Sequence, residues 1–353
     1  MISHRFLAGS AVVAASMLAV WIGLAPASAG QQTTPETTPE TTQQTTQETA
    51  QSEPLAVAGA ELLAASLGDA SGGYFLDHGR AVVNVLDSAA ARTIQSAGLT
   101  ARTVKYSLAT LTQTKDALDN LHDVPQTAWG IDPSTDQVVV TIYSAASDAT
   151  ANAVSTAAER YGDQVRIEHR AGRLELRIDD GDVLDNGFAR CSLGFNVTKN
   201  GRPYMLTAGH CTTLGGTWFG DDVSGAQVAA TNFPGADEGL LTRPDGTGPG
   251  MTTTGQRITS AGTPTVGEDI EKDGFTTGPG SGVVISIDQS VNYSGTVIRH
   301  EFGTTAHTDE GDSGGPAYDG STGLGTLSGG DQETSFYYPL TRELQDFGLS
   351  LAH

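Results

Sequence analysis

The second half of this 353-residue chain predicts an all-β fold, a sandwich or a barrel, with a smaller α+β domain ahead of it. Two changes of texture carry that reading. From Ile178 onward, short β-rich segments ("CSLGFNV", "PYMLTAGH", "GSGVVISID", "GTVIRHEF", "GLGTLSGG") alternate with Gly, Asn, Asp and Thr turns, the pattern of a sandwich or barrel. Between Leu55 and Arg177, helix-period stretches alternate with β-branched runs, as in a small α+β unit.

Each element of the α+β unit has a local reason. "EPLAVAGAELLAASLG" places apolar residues at helical spacing and ends at Gly68. "GRAVVNVLD" and "DQVVVTIYS" are β-branched and read as strands. "ASDATANAVSTAAERYG" is a helix closed by Gly162, and "DQVRIEHR" and "RLELRI" follow as strand-like alternations. Beyond Ile178 only "PLTRELQDFGLSLAH" is helical in pattern.

The first residues belong to neither unit. Residues 1–29 read as a secretory signal: His4 and Arg5, an apolar run from Ala11 to Leu24, then "APASAG" with an Ala-x-Ala site ending at Ala29. The run is short and no basic stop-transfer cluster follows, which argues against a stable membrane anchor. Residues 30–54, including "QQTTPETTPETTQQTTQETAQSEP", form a Thr/Gln/Glu-rich spacer without large apolar residues, expected to be disordered.

Charge narrows the partners. The chain holds 41 acidic and 19 basic residues, a formal net charge of −22, and 23 acids against 8 basic residues fall in 178–353. Such a surface repels nucleic acid and anionic membranes, both polyanions. The two cysteines, Cys191 and Cys211, suggest one disulfide in an exported protein, with two free thiols as the alternative. A zinc site from Cys191, His210 and Cys211 lacks the usual paired-ligand spacing.

The chemistry centres on "TDEGDSGGPAYDG", where Ser313 sits among glycines. A serine hydroxyl attacks only when a base takes its proton and a carboxylate orients that base. His210, in "MLTAGHC", is the candidate base and Asp237, in "FPGADEGLLTR", the candidate carboxylate. The order His, Asp, Ser is that of the chymotrypsin class. "GDSGG" also satisfies Gly-x-Ser-x-Gly, but an α/β-hydrolase needs its histidine after the serine, where only the terminal His353 is found. The amides of Gly311 and Ser313 are the candidate oxyanion donors.

With these motifs, residues 178–353 resemble a secreted bacterial chymotrypsin-like serine protease of the streptogrisin and alpha-lytic protease group. The resemblance lies in "RCSLGFNV", "LTAGHC", "ADEGLLTR", "GDSGGP" and "LSGG". "LGDASGGYFLDHGRAVVNVLD" and "TAWGIDPSTDQVVVT" are similar to the propeptides of that group. It implies two six-stranded antiparallel β-barrels with a C-terminal helix, preceded by a propeptide (55–177) that acts as folding catalyst and inhibitor. It implies His210 as base, Asp237 as its orienter and Ser313 as nucleophile. Ser328 would hydrogen-bond Asp237, and Ser328, Gly329 and Gly330 would pair with an extended substrate. Processing is expected at Arg177–Ile178. The partners implied are polypeptide substrates and the chain's own propeptide, acting on a secreted monomer with no cofactor and no metal. The alternative is a catalytically inactive homologue that serves as a secreted binding protein.

Two departures from the family stand out. The second disulfide expected beside the specificity pocket is missing, with His307 at one of its positions. Lys272 stands where the family supplies an arginine to a buried Asp312, so an Asp312–Lys272 ion pair is expected. The pocket is assigned to Thr305, Ala306 and His307, with walls from Ser328–Gly330, Thr334 and Ser335. None of these opposes a basic side chain with a formal charge, which favours a neutral apolar or aromatic residue before the scissile bond.

Overall fold

The computed structural model describes residues 57–176, 184–220, 223–246, 248 and 250–352. The signal sequence, the Thr/Gln/Glu spacer and the Arg177–Ile178 junction lie outside the described residues.

The α+β region consists of two lobes. In the first, the strands Ser71–Asp77 and Arg80–Val85 pair antiparallel, and Thr100–Thr103 runs parallel to the second of them. The helix at 57–66 and the helix Ser88–Ser96 bury Ala60, Ala90 and Ile94 against Val83 and Val85. The second lobe packs the helices Leu108–Leu118 and Asp148–Glu159 on the strands Thr127–Asp132, Gln137–Tyr143 and Val165–Arg170, around Trp129, Val138, Val140 and Ile142. Two of these helices, Ser88–Ser96 and Leu108–Leu118, went unread in the sequence. Their Ala- and Thr-rich faces are weakly apolar, and their legible signals are the caps: Asp87 accepts from the amides of Ala89 and Ala90, and Ser107 from that of Thr110. Of "RLELRI", Glu175–Leu176 form a strand, and Arg177 and Ile178 lie outside the described residues.

The mature-type region is built of two antiparallel β units. In the first, eight strands follow in hydrogen-bonded order: Ser350–Leu351, Asn196–Lys199, Arg202–Thr207, Glu238–Thr242, Val223–Asn232, Thr217–Gly220, Leu184–Asp185 and Arg190–Cys191. In the second, Asp269–Lys272, Pro316–Asp319, Thr322–Gly330, Ser335–Pro339, Thr296–Thr304 and Gly280–Tyr293 close on themselves, because the first also pairs with the last. The ring closes only where Asp269–Lys272 meets Gly280–Val283, so Ile287–Asn292 of the long strand and Gly329–Gly330 extend past it and keep edges open to further strands. The inner faces carry Met205, Trp218 and Leu241 in the first unit, and Ile270, Phe302, Leu327 and Tyr337 in the second.

The last stretch, read as helical throughout, is so only over Leu340–Phe347. Gly348 takes the left-handed conformation (φ 63°) that ends helices at low cost, and Ser350–Leu351 then pairs with Val197 and Thr198.

The second lobe of the α+β region docks by continuing a sheet. Thr127–Asp132 pairs antiparallel with the long hairpin strand Gly280–Tyr293, from Ile131 opposite Ile287 to Thr127 opposite Asn292. Charge reinforces the seam. Lys115, fully buried, lies 3.0 Å from Asp119 and 3.4 Å from Asp288 of the hairpin, while Ser290 Oγ and Trp129 Nε1 both donate to Asp119. The first lobe contributes its own contact, Leu76 N to Val266 O at 2.8 Å.

Removing one member of a buried charge cluster leaves the others uncompensated. Lys115→Ala is therefore expected to destabilise the full chain by about 3 kcal/mol. Denaturant unfolding of the two full-length forms checks this.

Candidate active site

His210 sits on the short helical turn Gly209–Thr212, directly after the strand Arg202–Thr207. Cys211 is disulfide-bonded to Cys191, which ties this turn to the neighbouring chain and uses both sulfurs of the Cys191, His210, Cys211 cluster. Asp237 immediately precedes the strand Glu238–Thr242. The two meet at close range: His210 Nδ1 is 2.8 Å from Asp237 Oδ2, and the His210 amide donates to Asp237 Oδ1 at 2.7 Å. Glycine makes the approach feasible. A Cβ at Gly209 would fall 2.6 Å from the Glu238 amide nitrogen, and one at Gly239 2.5 Å from Ala208 O. Both polar side chains are buried, and His210 Nε2 has no hydrogen-bond partner among the described residues.

Ser313 comes from the loop between the strands Thr296–Thr304 and Pro316–Asp319 of the second unit. Its carbonyl accepts from Ser192 N at 2.7 Å, and Ser192 O accepts from Thr207 Oγ1 at 2.9 Å, so the loop is laced to the strand that leads into His210. Gly314 (φ 84°) lies against the same turn, where a Cβ would be 2.2 Å from Thr207 Oγ1 and 2.8 Å from Ala208 N. Ser313 Oγ points towards Ser328 O at 3.5 Å. Gly311 has φ 94°; the carbonyl of Glu310, in the peptide that carries the Gly311 amide, accepts from Thr276 Oγ1 at 2.6 Å, and Gly311 O accepts from Ser192 Oγ at 2.9 Å.

Asp312 is buried beside this serine. Its carboxylate accepts from the amides of Thr276, Thr277 and Asp309 and from Thr277 Oγ1, and lies 3.7 Å from Lys272 Nζ. Burial lowers the Lys272 ammonium, opposed by the charges of Asp312 and Asp273. Lys272 also donates to Gly278 O at 2.7 Å and to Thr277 Oγ1.

Two chain-level matches place this arrangement in a family. Residues 106–161 match the alpha-lytic protease prodomain family, and residues 44–104 the alpha-lytic protease pro N-terminal family. Streptogrisin-D of Streptomyces griseus is 36% identical over 301 residues, covering 80% of this chain and 76% of the relative. The chain belongs to the streptogrisin and alpha-lytic protease group. Serine protease 1 of Streptomyces fradiae is 35% identical over 81% of this chain and 84% of its own length. Glutamyl endopeptidase 2 of Streptomyces griseus is 36% identical over 48% of this chain and 97% of its own length. The protein is thus a chymotrypsin-class serine endopeptidase that carries its propeptide.

Against that frame some expected contacts are rearranged. Ser328 does not hydrogen-bond Asp237. Its Oγ is buried without a close partner, on the side of Glu301, a fully buried carboxyl on the strand Thr296–Thr304. Thr305 and His307 are exposed, while Ala306 and Thr308 between and after them are buried, because successive side chains of an extended segment point to opposite sides. His307 therefore does not line the interior. Ala306 and Thr308 instead meet Ser335: Ser335 Oγ donates to Ala306 O at 2.8 Å and lies 2.6 Å from Thr308 Oγ1. This hydroxyl network joins the segments that the missing disulfide would have crosslinked. Asp331 caps the same loop, accepting from the amides of Glu333 and Thr334 at 2.6 Å each.

The protease is also occupied by its own propeptide. The strand Glu175–Leu176 pairs antiparallel with Gly329–Gly330, Leu176 opposite Gly329 and Glu175 opposite Gly330. Gln126 holds the approach by a two-point clamp, Nε2 donating to Leu174 O at 3.0 Å and Oε1 accepting from Leu174 N at 2.7 Å. Arg170 reaches Thr334 Oγ1.

Sequence reading also missed a set of buried acids around Asp237. Glu238, replacing the tyrosine of the usual Asp-Tyr-Gly, is pushed up to about 7 by burial. Glu343 is raised well above the carboxylate range by burial, and Glu301 up to about 8. Their local sequence carries no signal of burial: Glu301 follows Arg299 and His300, Glu343 lies between Arg342 and Gln345, and Glu238 follows Asp237.

If the Ala306–Thr308–Ser335 network replaces a crosslink, Ser335→Ala should lower the stability of the processed enzyme by about 1–2 kcal/mol, since two buried hydrogen bonds lose their partner. Thermal unfolding of the two forms measures it.

Proposed function

We propose that the protein is a secreted endopeptidase that works through Ser313, His210 and Asp237 and is made as a zymogen inhibited by its propeptide. The observation that carries this reading is the buried Asp237–His210 pair at 2.8 Å, packed through Thr207 and Ala208 against the loop of Ser313.

In this mechanism His210 Nε2 takes the Ser313 proton as Oγ attacks the scissile carbonyl carbon. Asp237 accepts the Nδ1 hydrogen, fixes the tautomer and stabilises the imidazolium that forms. The amides of Gly311 and Ser313 bind the oxyanion, a contribution of several kcal/mol at a preorganised site. His210 then protonates the leaving amine. Water, deprotonated by the same imidazole, releases the acyl group. The substrate lies as an added strand along Ser328–Gly330, the edge that Glu175 and Leu176 pair with in the precursor. Substrate and propeptide tail compete for one edge, which supports the zymogen reading, and cleavage at Arg177–Ile178 would begin to free it.

Ala306, Thr308, Thr334 and Ser335 carry no formal charge, which favours a neutral apolar or aromatic residue before the scissile bond. The relatives leave this open, since their names include both streptogrisins and a glutamyl endopeptidase.

Two measurements test the reading. Ser313→Ala should lower kcat/KM by at least about 10³-fold and abolish labelling by a fluorophosphonate, while the processed wild type is labelled and begins at Ile178. Labelling that survives the substitution would defeat the assignment, and an unlabelled processed wild type would point to an inactive binding homologue. Among chromogenic peptides differing only at the residue before the bond, Phe or Leu should be cleaved faster than Arg or Glu. The reverse order would overturn the neutral pocket.

A further inference from the structure

Behind Asp237 lies a carboxyl group that this mechanism leaves unused. Glu301 is fully buried on the strand Thr296–Thr304, whose backbone is tied to the loop before Asp237: Gly235 N donates to Val297 O at 3.1 Å and Arg299 N to Gly235 O at 3.0 Å. Three groups face it. Tyr293, on the paired hairpin strand, places its hydroxyl 3.3 and 3.1 Å from the two carboxyl oxygens. Ser328 faces it from the strand Thr322–Gly330, and Asp237 adds a like charge. Tyr143 of the propeptide is the next ionisable neighbour, beyond Tyr293. Among the described residues no cation contributes at Glu301.

The contrast with Asp312 is instructive. That buried carboxylate has three amides, a hydroxyl and Lys272 around it. Glu301 has one hydroxyl within hydrogen-bond distance, that of Tyr293, and a negative neighbour, an environment that does not balance a buried charge. Burial accordingly drives its carboxyl up to about 8; Ser328 and Tyr293 oppose the shift, and the charge of Asp237 adds to it.

We propose that Glu301 is a positioning residue for the Asp237–His210 couple. Uncharged, it leaves Asp237 as the negative charge nearest the imidazole and keeps the Tyr293 hydroxyl on its own side. When Glu301 releases its proton to solvent, it adds a second negative charge that stabilises the imidazolium and so strengthens His210 as a base. The inference rests on the protease reading given above, because it assigns Glu301 an effect on that reaction.

The test is the pH dependence of kcat/KM from pH 5 to 10 for the processed enzyme and its Glu301→Gln variant, on one neutral chromogenic peptide. The wild type should show, beyond the rise from His210, a second rise of about two- to tenfold centred near pH 8. Glu301→Gln keeps the shape and cannot ionise, so its profile should level off after the first rise. Profiles that superimpose after scaling would overturn the proposal, since a purely structural glutamate would lower activity equally at every pH. Carbon-13 NMR of the Glu301 carboxyl in the wild-type enzyme needs neither the variant nor activity. Titration above pH 6.5 supports the proposal, and a carboxylate already ionised at pH 5.5 defeats it. A Glu301 that titrates high in a protein without Ser313-dependent peptidase activity would sink the protease reading and leave the buried acid standing.

Discussion

The ion pair between Asp312 and Lys272 is the constraint on which the serine loop depends. A carboxylate with almost no exposure must be compensated, and here one side chain gathers donors from three stretches of chain. Thr276 and Thr277 bring in the turn after Asp269–Lys272, Asp309 brings in the approach to the loop, and Lys272 brings the barrel strand itself. The neighbours of Asp312 in sequence are thereby fixed in direction. Gly311 presents its amide from a left-handed conformation while Thr276 holds the preceding carbonyl, and the Ser313 carbonyl accepts from Ser192 of the other barrel. The aspartate nearest the serine in sequence thus shapes the loop, and the distant Asp237 meets the histidine.

Glycine at defined places makes that meeting possible. Gly209, Gly239 and Gly314 stand where a Cβ would overlap backbone or a hydroxyl of the facing element. Gly209 and Gly239 let the His210 turn close on the Asp237 strand within the first barrel, and Gly314 lets the serine loop of the second barrel approach Thr207 and Ala208 of the first. The disulfide then holds the His210 turn to the segment that also receives Ser313 O through Ser192.

Much of this was legible in the sequence, because it is written in short-range chemistry. The helix closed near Gly162, the β-branched strands of the propeptide and the residues of "LTAGHC" and "GDSGGP" all follow from local pattern. The need for a cation beside Asp312 followed from burial, but the choice of Lys272 came from the resemblance, which places an arginine in that strand. What escaped depends on chain reversals and on which side of a strand faces inward. Gly348 turns the C-terminus back into a strand that apolar spacing alone reads as helix. The alternation from Thr304 to Thr308 puts His307 outside and Thr308 inside, a register that no single residue announces. Glu301 was invisible for the same reason: an acid in "VIRHEF" reads as a solvated position until the strand is paired on both sides and its face is buried.

The propeptide shows how one physical device serves two ends of the same molecule. Along Thr127–Asp132 it continues the sheet of the second barrel, and at Glu175–Leu176 it lies on the short edge at Gly329–Gly330. Both are strand additions, which satisfy backbone groups with little demand on side-chain identity. They differ in what accompanies them. The first is backed by Lys115, Asp119, Asp288 and a packed core around Trp129, while the second is a two-residue pairing clamped by Gln126. A broad buried seam releases slowly, whereas a two-residue pairing opens by local fluctuation at far smaller cost. The division of labour follows: the seam at the hairpin keeps the propeptide in place, and its tail covers the substrate edge through proximity. Held by that seam, the tail stays near Gly329–Gly330 at high effective concentration, so each local opening is followed by rapid re-pairing.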